Sequence, residues 1–365
     1  MLTASDSLPE TGESRFGPPV SPSLFEHLQT CHRKAAYRRS RAHPARSSPA
    51  ARLGDAFHHT LERLAAPPPE ASGLQGREWR GWVVAYFQNE VAKRRQIAAA
   101  HPREAALPWP EPQEESLAIQ LATLAGSGPP PPRNDLSGEA RVRFVERELV
   151  SNDGLLRGRP DLVEREANGL TIIDHKTGDL SGAEKQERYR RQCLLYAVLV
   201  HETLHEWPTA YRVVQAVTGE ELSGAISPDE ATALAAEVRA LTARYEGKLW
   251  RDLPAAPSSA TCQSCDYRPW CADFWKIRPE SLTESVCMEA ILEKLNAPPQ
   301  GTIAYLTCRL LPECTETVNI TAPQPLAQGL LNLPTGTRLR LLDIYPVAAS
   351  PTSFRATHWS EMFAV

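Results

Sequence analysis

Two runs that alternate apolar and polar residues, 155–166 and 170–176, flank the dipeptide Asn168-Gly169. Asn-Gly between such runs is the strongest short-range hairpin signal, because both residues tolerate the positive φ that a tight turn demands. The chain must therefore fold back on itself here. Side chains alternate between the faces of a strand, so Asp174 and Lys176 project together and His175 points away. Asp161, on the partner strand, falls near Asp174 across the pair. Two close carboxylates repel, and a Mg²⁺ or Mn²⁺ ion relieves that repulsion while binding phosphate oxygens and water. Lys176 beside them suits orientation of an attacking water or stabilisation of charge on a phosphate. A D-x-K tripeptide alone is more often a solvated strand face with a surface ion pair, so its company decides.

The surrounding pattern is helical first and mixed later. Apolar periodicity predicts helices over 53–65, 78–100 and 114–124, then a strand over 140–150 before the hairpin. Ser181 with Glu184 reads as a capping box opening a helix to about Leu204, and 209–217 reads as a strand. Ser227-Pro228 opens a helix expected to reach about Trp250. The 32 prolines, about 9% against a usual 5%, mark the divisions. Residues 1–20 are expected to be a disordered tail, 21–280 a domain with a proline-rich connector at 126–138, and 285–365 a separate β-rich domain with strands from Ile303 onward.

Composition narrows the function classes. Forty Lys+Arg against 44 Asp+Glu, a formal charge of −4, exclude a protein held to nucleic acid by bulk charge. The longest apolar run, 193–200, is far too short to span a bilayer, and the polar start is unlike a signal peptide. A soluble cytoplasmic protein is expected, and eight cysteines in a reducing compartment point to metal rather than disulfides.

The ordered set Gly158-Arg159-Pro160-Asp161, Ile172-Ile173-Asp174-His175-Lys176-Thr177-Gly178, then Gln192 and Tyr196, resembles the RecB-type branch of the PD-(D/E)xK nuclease superfamily. Upstream, Gly54-Asp55-Ala56-Phe57-His58 followed by Leu61-Glu62 resembles that branch's glycine and histidine motif. The resemblance implies an α/β fold: a restriction-endonuclease-like mixed sheet with a helical N-terminal part. It also implies His58, Asp161, Asp174 and the His175 carbonyl as metal ligands, Lys176 as catalytic, and Gln192 and Tyr196 as positioning groups. Glu148 takes the place of the acidic residue before the hairpin, with a plain strand-face charge as the even alternative. For His58 the alternative is an ordinary helix histidine, with His59 adjacent.

Cys262-x2-Cys265-x5-Cys271 places three soft ligands on one short loop, and a closed site needs a fourth. Cys31, Cys193, Cys287, Cys308 and Cys314 are the candidates. An isolated N-terminal cysteine and a C-terminal triplet around a RecB-type core resemble the iron-sulfur nucleases of the AddB and CRISPR-associated kinds. That resemblance selects Cys31 and implies a structural [4Fe-4S] cluster. Structural zinc and unligated thiols are the alternatives.

Seven Lys+Arg and no acid lie between Cys31 and Arg52, and Arg188, Arg190 and Arg191 form a second knot. Arg38, Arg39, Arg41, Arg188 and Arg191 are the candidate phosphate contacts, with a solubilising helix face the equal alternative. The tail resembles a small all-β barrel of the OB type, its aromatics Tyr305, Tyr345, Phe354 and Trp359 either binding or core. The expected function is a metal-dependent deoxyribonuclease acting on DNA ends or single strands, with a helicase or defence-system protein as possible partner. A DNA-binding accessory module with little cleavage is the alternative.

Overall fold

The structure, a computed structural model, describes residues 15–40, 47–100, 104, 107–129, 143–277, 285–298, 302–311, 316–348 and 350–365. Arg41 and Cys314, most of the 126–138 connector and residues 1–14 lie outside them.

Among the described residues these helices precede the sheet: α1 (Pro22–Thr30), α2 (His32–Ser40), α3 (Pro49–Ala65), α4 (Gly76–Ala100) and α5 (Glu111–Leu124). Serine followed by proline starts two of them. The Ser21 and Ser48 hydroxyls accept from the Leu24 and Ala51 amides, while Pro22 and Pro49 occupy the first turn, where a missing N–H costs nothing. The same device, Ser227-Pro228, starts α7 (Pro228–Tyr245), which stops a turn short of Trp250. The capping box expected at Ser181 does not form. Ser181 turns back to Asp179 (Oγ to Oδ2 2.6 Å), and α6 (Ala183–Leu204) starts at Gly182 with no side-chain cap.

The strands are β1 (Arg143–Val145), β2 (Leu149–Val150), β3 (Arg157–Gly158), β4 (Leu162–Glu166), β5 (Gly169–Lys176), β6 (Ala210–Gln215) and β7 (Glu221–Ala225). They form a five-stranded sheet in the order β1-β4-β5-β6-β7, with β2 and β3 paired apart. Only β5 and β6 run parallel, and α6 makes the crossover between them. Residues 193–200 of α6 are all buried, because the helix lies between the sheet and the pair α1 and α7.

The hairpin forms, with its turn one residue earlier than expected. Ala167 and Asn168 are the turn, and Gly169 is already paired with Glu166 at φ 118. A side chain on Gly169 would meet Thr209 at 2.7 Å, so close strand approach as well as backbone freedom requires glycine there. The resulting register pairs Leu162 with Ile173, which brings Asp161 level with Asp174.

Residues 15–20, placed by the sequence in the expected tail, join the fold. Phe16 and Val20 are 1% and 0% exposed, packed against Tyr245, Trp250 and Leu156, and the chain from Arg15 bridges to Leu249. Apolar residues at this spacing are worth burying even without a regular element around them.

The C-terminal part has its own core and begins with an unforeseen strand, β8 (Val286–Asn296). It continues through β9 (Ile303–Leu310), β10 (Thr317–Pro323), β11 (Arg338–Val347), β12 (Ser350–Arg355) and β13 (Glu361–Ala364). The strand order β8-β9-β10-β12-β11 closes because β11 pairs with both β12 and β8, giving a five-stranded barrel with β13 added along β11. The β10–β12 pair is parallel and the others are antiparallel.

At the bulge in β11, Asp343 takes φ 56 and turns its carboxylate to Arg268 of the cysteine loop (3.0 and 2.7 Å). Arg340 donates to the Pro269 carbonyl, and Trp270 and Phe274 pack with Leu342 and Phe363. The barrel is thereby locked to the cysteine loop. Among the described residues no helix is long and apolar enough to cross a membrane.

Candidate metal centre

Close approach of α3 to the end of β5 begins the site. A side chain on Gly54 would stand 2.8 Å from the Thr177 hydroxyl, so glycine admits the helix, and one turn later His58 faces the carboxylates. Its Nδ1 lies 3.2 Å from Glu146 Oε1 and 3.5 Å from Asp161 Oδ1. Ligand atoms of His58, Glu146 and Asp161 all fall within 4.8 Å of one another, the one such trio among the described residues. His59 points elsewhere, toward Glu90 at 3.3 Å.

Glu146 corrects the expectation placed on Glu148. Glu148 is exposed and stands 3.9 Å from Arg157, whereas Glu146 turns into the site from a left-handed backbone, φ 47, at the end of β1. Its amide donates to the Asp161 carbonyl (2.9 Å), which holds that uncommon conformation in place. Local pattern did not separate the two glutamates, since both belong to the same polar stretch.

On the other side, Asp174 is 1% exposed and its Oδ2 lies 2.6 Å from Lys176 Nζ. Gln192 on α6 donates to Asp174 Oδ1 (3.3 Å) and to Tyr196 Oη (2.9 Å), and its own oxygen accepts from Lys176 (3.4 Å). Asp161 Oδ2 accepts the His175 amide at 2.6 Å, while the His175 ring packs edge-on against Phe57 behind the site. Two expected strand residues and two expected helix residues therefore meet in one hydrogen-bonded set.

Negative charge exceeds positive in this small volume. Burial and the neighbouring Asp174 and Glu146 charges push Asp161 up to about 7, against the pull of His58 and Lys176. Burial works against the His58 imidazolium, but the Glu146 hydrogen bond and the Asp161, Glu146 and Asp174 charges outweigh it and push the ring up to about 9. Burial also opposes the Lys176 ammonium, and Asp174 and Asp161 still hold it above the usual lysine value. Three carboxylates around one lysine and one imidazole favour added positive charge, and oxygen donors with one imidazole suit a hard divalent ion.

A model of the PD-(D/E)XK nuclease superfamily matches residues 19–272. The chain belongs to this superfamily. A search of curated proteins finds no match. PD-(D/E)XK nucleases use divalent metals, and the trio with adjacent Asp174 and Lys176 fits such an ion.

Cys31, Cys262, Cys265 and Cys271 line one small pocket in the PD-(D/E)XK domain, with Lys34, Tyr37 and Phe274 among its other walls. Cys31 ends α1, and its Sγ accepts from the Ala256 amide at 3.5 Å. The four sulfurs do not close to within 4.8 Å of one another as a group. Burial pushes the Cys265 thiol up to about 12 and the Cys271 thiol up to about 11. Cys193 lies in the core, fully buried among α6 neighbours.

Several residues of the basic patches have acidic or polar partners within the fold. Arg33 faces Asp273 (3.8 Å), Arg52 pairs with Glu104 (2.9 Å), and Arg38 bonds Tyr267. Arg190 pairs with Glu187 and Glu230, and Arg191 is held by Glu26, Gln29 and Glu237. Arg191 therefore braces α6 against α1 and α7. Arg39 and Arg188 stay exposed.

Proposed function

We propose that the chain is a Mg²⁺- or Mn²⁺-dependent deoxyribonuclease that hydrolyses phosphodiester bonds at DNA ends or in single strands, in the service of repair, recombination or defence. The convergence of His58, Glu146 and Asp161 beside the Asp174–Lys176 pair carries this reading. His58, Glu146, Asp161, Asp174 and the His175 carbonyl would hold the ion, which supplies a polarised phosphoryl oxygen and an acidified water. Lys176 stands where it can steady charge developing on the phosphate, and Gln192 holds both Lys176 and Asp174 in position. Tyr196, whose hydroxyl burial keeps protonated, supports Gln192 from one turn along α6. Purified protein prepared without oxygen, given labelled single- and double-stranded DNA and RNA with either ion, tests the reading. Metal-dependent cleavage of DNA is expected, and cleavage of RNA alone overturns the substrate assignment.

For the cysteine cavity we propose a structural [4Fe-4S] cluster of the RecB-type iron-sulfur branch. The meeting of Cys31 with Cys262, Cys265 and Cys271 around one pocket supports this reading, as does the resemblance to that branch. Iron and sulfide analysis checks this, and stoichiometric zinc without iron overturns it. The barrel's strand order and its parallel β10–β12 pair support the OB type.

A further inference from the structure

The outer face of the barrel carries a row of side chains that neither the metal centre nor the packing uses. Cross-strand partners point to the same side of a sheet, so the register defines the row directly. Asn296 on β8 pairs with Tyr305 on β9, Tyr305 with Thr321 on β10, Thr321 with Arg355 on β12, and Arg355 with Tyr345 on β11. Tyr305 is 50% and Tyr345 38% exposed, and neither ring stacks on another. Arg355, between them, is exposed and has no ion-pair or side-chain hydrogen-bond partner among the described residues. The next row is Lys294, Thr307, Asn319 and Ser353. Beyond it, Arg309 meets its acid, Glu293, at 3.2 Å.

We propose that this face is a second nucleic-acid site, which takes a short single-stranded segment with bases on Tyr305 and Tyr345 and phosphates on Arg355 and Lys294. Three strand spacings separate the tyrosines, about 14 Å along the surface, which suits a site of a few nucleotides. Duplex DNA keeps its base faces stacked internally, so exposed rings favour unpaired bases. A protein partner would call for an apolar centre, whereas the middle of this face is Thr321, Arg355, Thr307, Asn319 and Ser353. Ile303 and Pro323, paired at one end of the face, supply its apolar margin.

The site rests on reading the chain as an enzyme of nucleic acid, yet its readout is binding, so it stands or falls apart from cleavage. Full-length protein in EDTA is titrated against fluorescein-labelled oligothymidylate of 20 nucleotides, followed by anisotropy across a salt series. Tyr305→Ala and Tyr345→Ala should each weaken binding about tenfold, and Tyr→Phe at either position should retain it, because the ring face is the contact. Arg355→Ala and Lys294→Ala should each lower the slope of log affinity against log salt by about 0.7. All six variants should melt with the unaltered protein, since these side chains lie outside the core. Unchanged affinity in the Tyr305→Ala/Tyr345→Ala double variant overturns the proposal. So does equal loss of affinity for a duplex of the same length, or loss in the Tyr→Phe variants.

Discussion

The metal centre and the cysteine cavity both gather ligands from distant parts of the chain, but they stand in opposite electrostatic states. Carboxylates crowd the first, where burial and the neighbouring Asp174 charge raise Asp161 and the acids around His58 raise its ring. Burial is the largest influence in the second, where it holds the Cys265 and Cys271 thiols neutral. Either site must lose protons before a metal can bind, from His58 and Asp161 at the first and from thiols at the second, and at the first a divalent ion would also relieve the repulsion among the carboxylates.

The largest expected effect breaks the first site alone. Asp174→Ala or Lys176→Ala should reduce cleavage by about 10²- to 10³-fold while DNA affinity stays near that of the unaltered protein. EDTA should have the same consequence and be reversed by Mg²⁺. Full activity in both variants would place the chemistry elsewhere. The complementary break is Cys31→Ala, which should abolish the iron content and visible absorbance expected of the proposed cluster and lower stability. Through that cluster Cys31 would close a chain loop of more than 200 residues onto Cys262, so opening it would restore denatured-state entropy. Retention of iron by that variant would remove Cys31 from the ligand set.

Arg268→Ala sharpens the comparison, because it leaves the cysteines intact and removes the cation that the barrel's Asp343 faces. Stranding a buried carboxylate should cost about 3–5 kcal/mol in denaturant unfolding. A loss below about 1 kcal/mol would mean that the junction tolerates the change by admitting water. The smallest effect separates two glutamates. Glu146→Gln should weaken Mn²⁺ binding about tenfold by calorimetry, within the range for groups that hold metal ligands, and Glu148→Gln should leave it unchanged. The reverse result would restore Glu148 to the site.

The residues themselves determined a good part of this. Asn168-Gly169 and alternation made the hairpin, parity put Asp174 and Lys176 on one face, and Cys262, Cys265 and Cys271 share one short loop. Those are local properties, decided by backbone geometry over a few residues. Tertiary structure decided the rest. Pairing of Gly169 with Glu166 moved the turn and brought Asp161 level with Asp174, and a left-handed residue at the end of β1 chose Glu146 over Glu148. Acids on α1 and α7 claimed Arg191, and a packing surface built from Leu156, Tyr245 and Trp250 drew in Phe16 and Val20. Each depends on a partner far along the chain, and a charge or an apolar side chain shows its partner only once the fold has placed the two together.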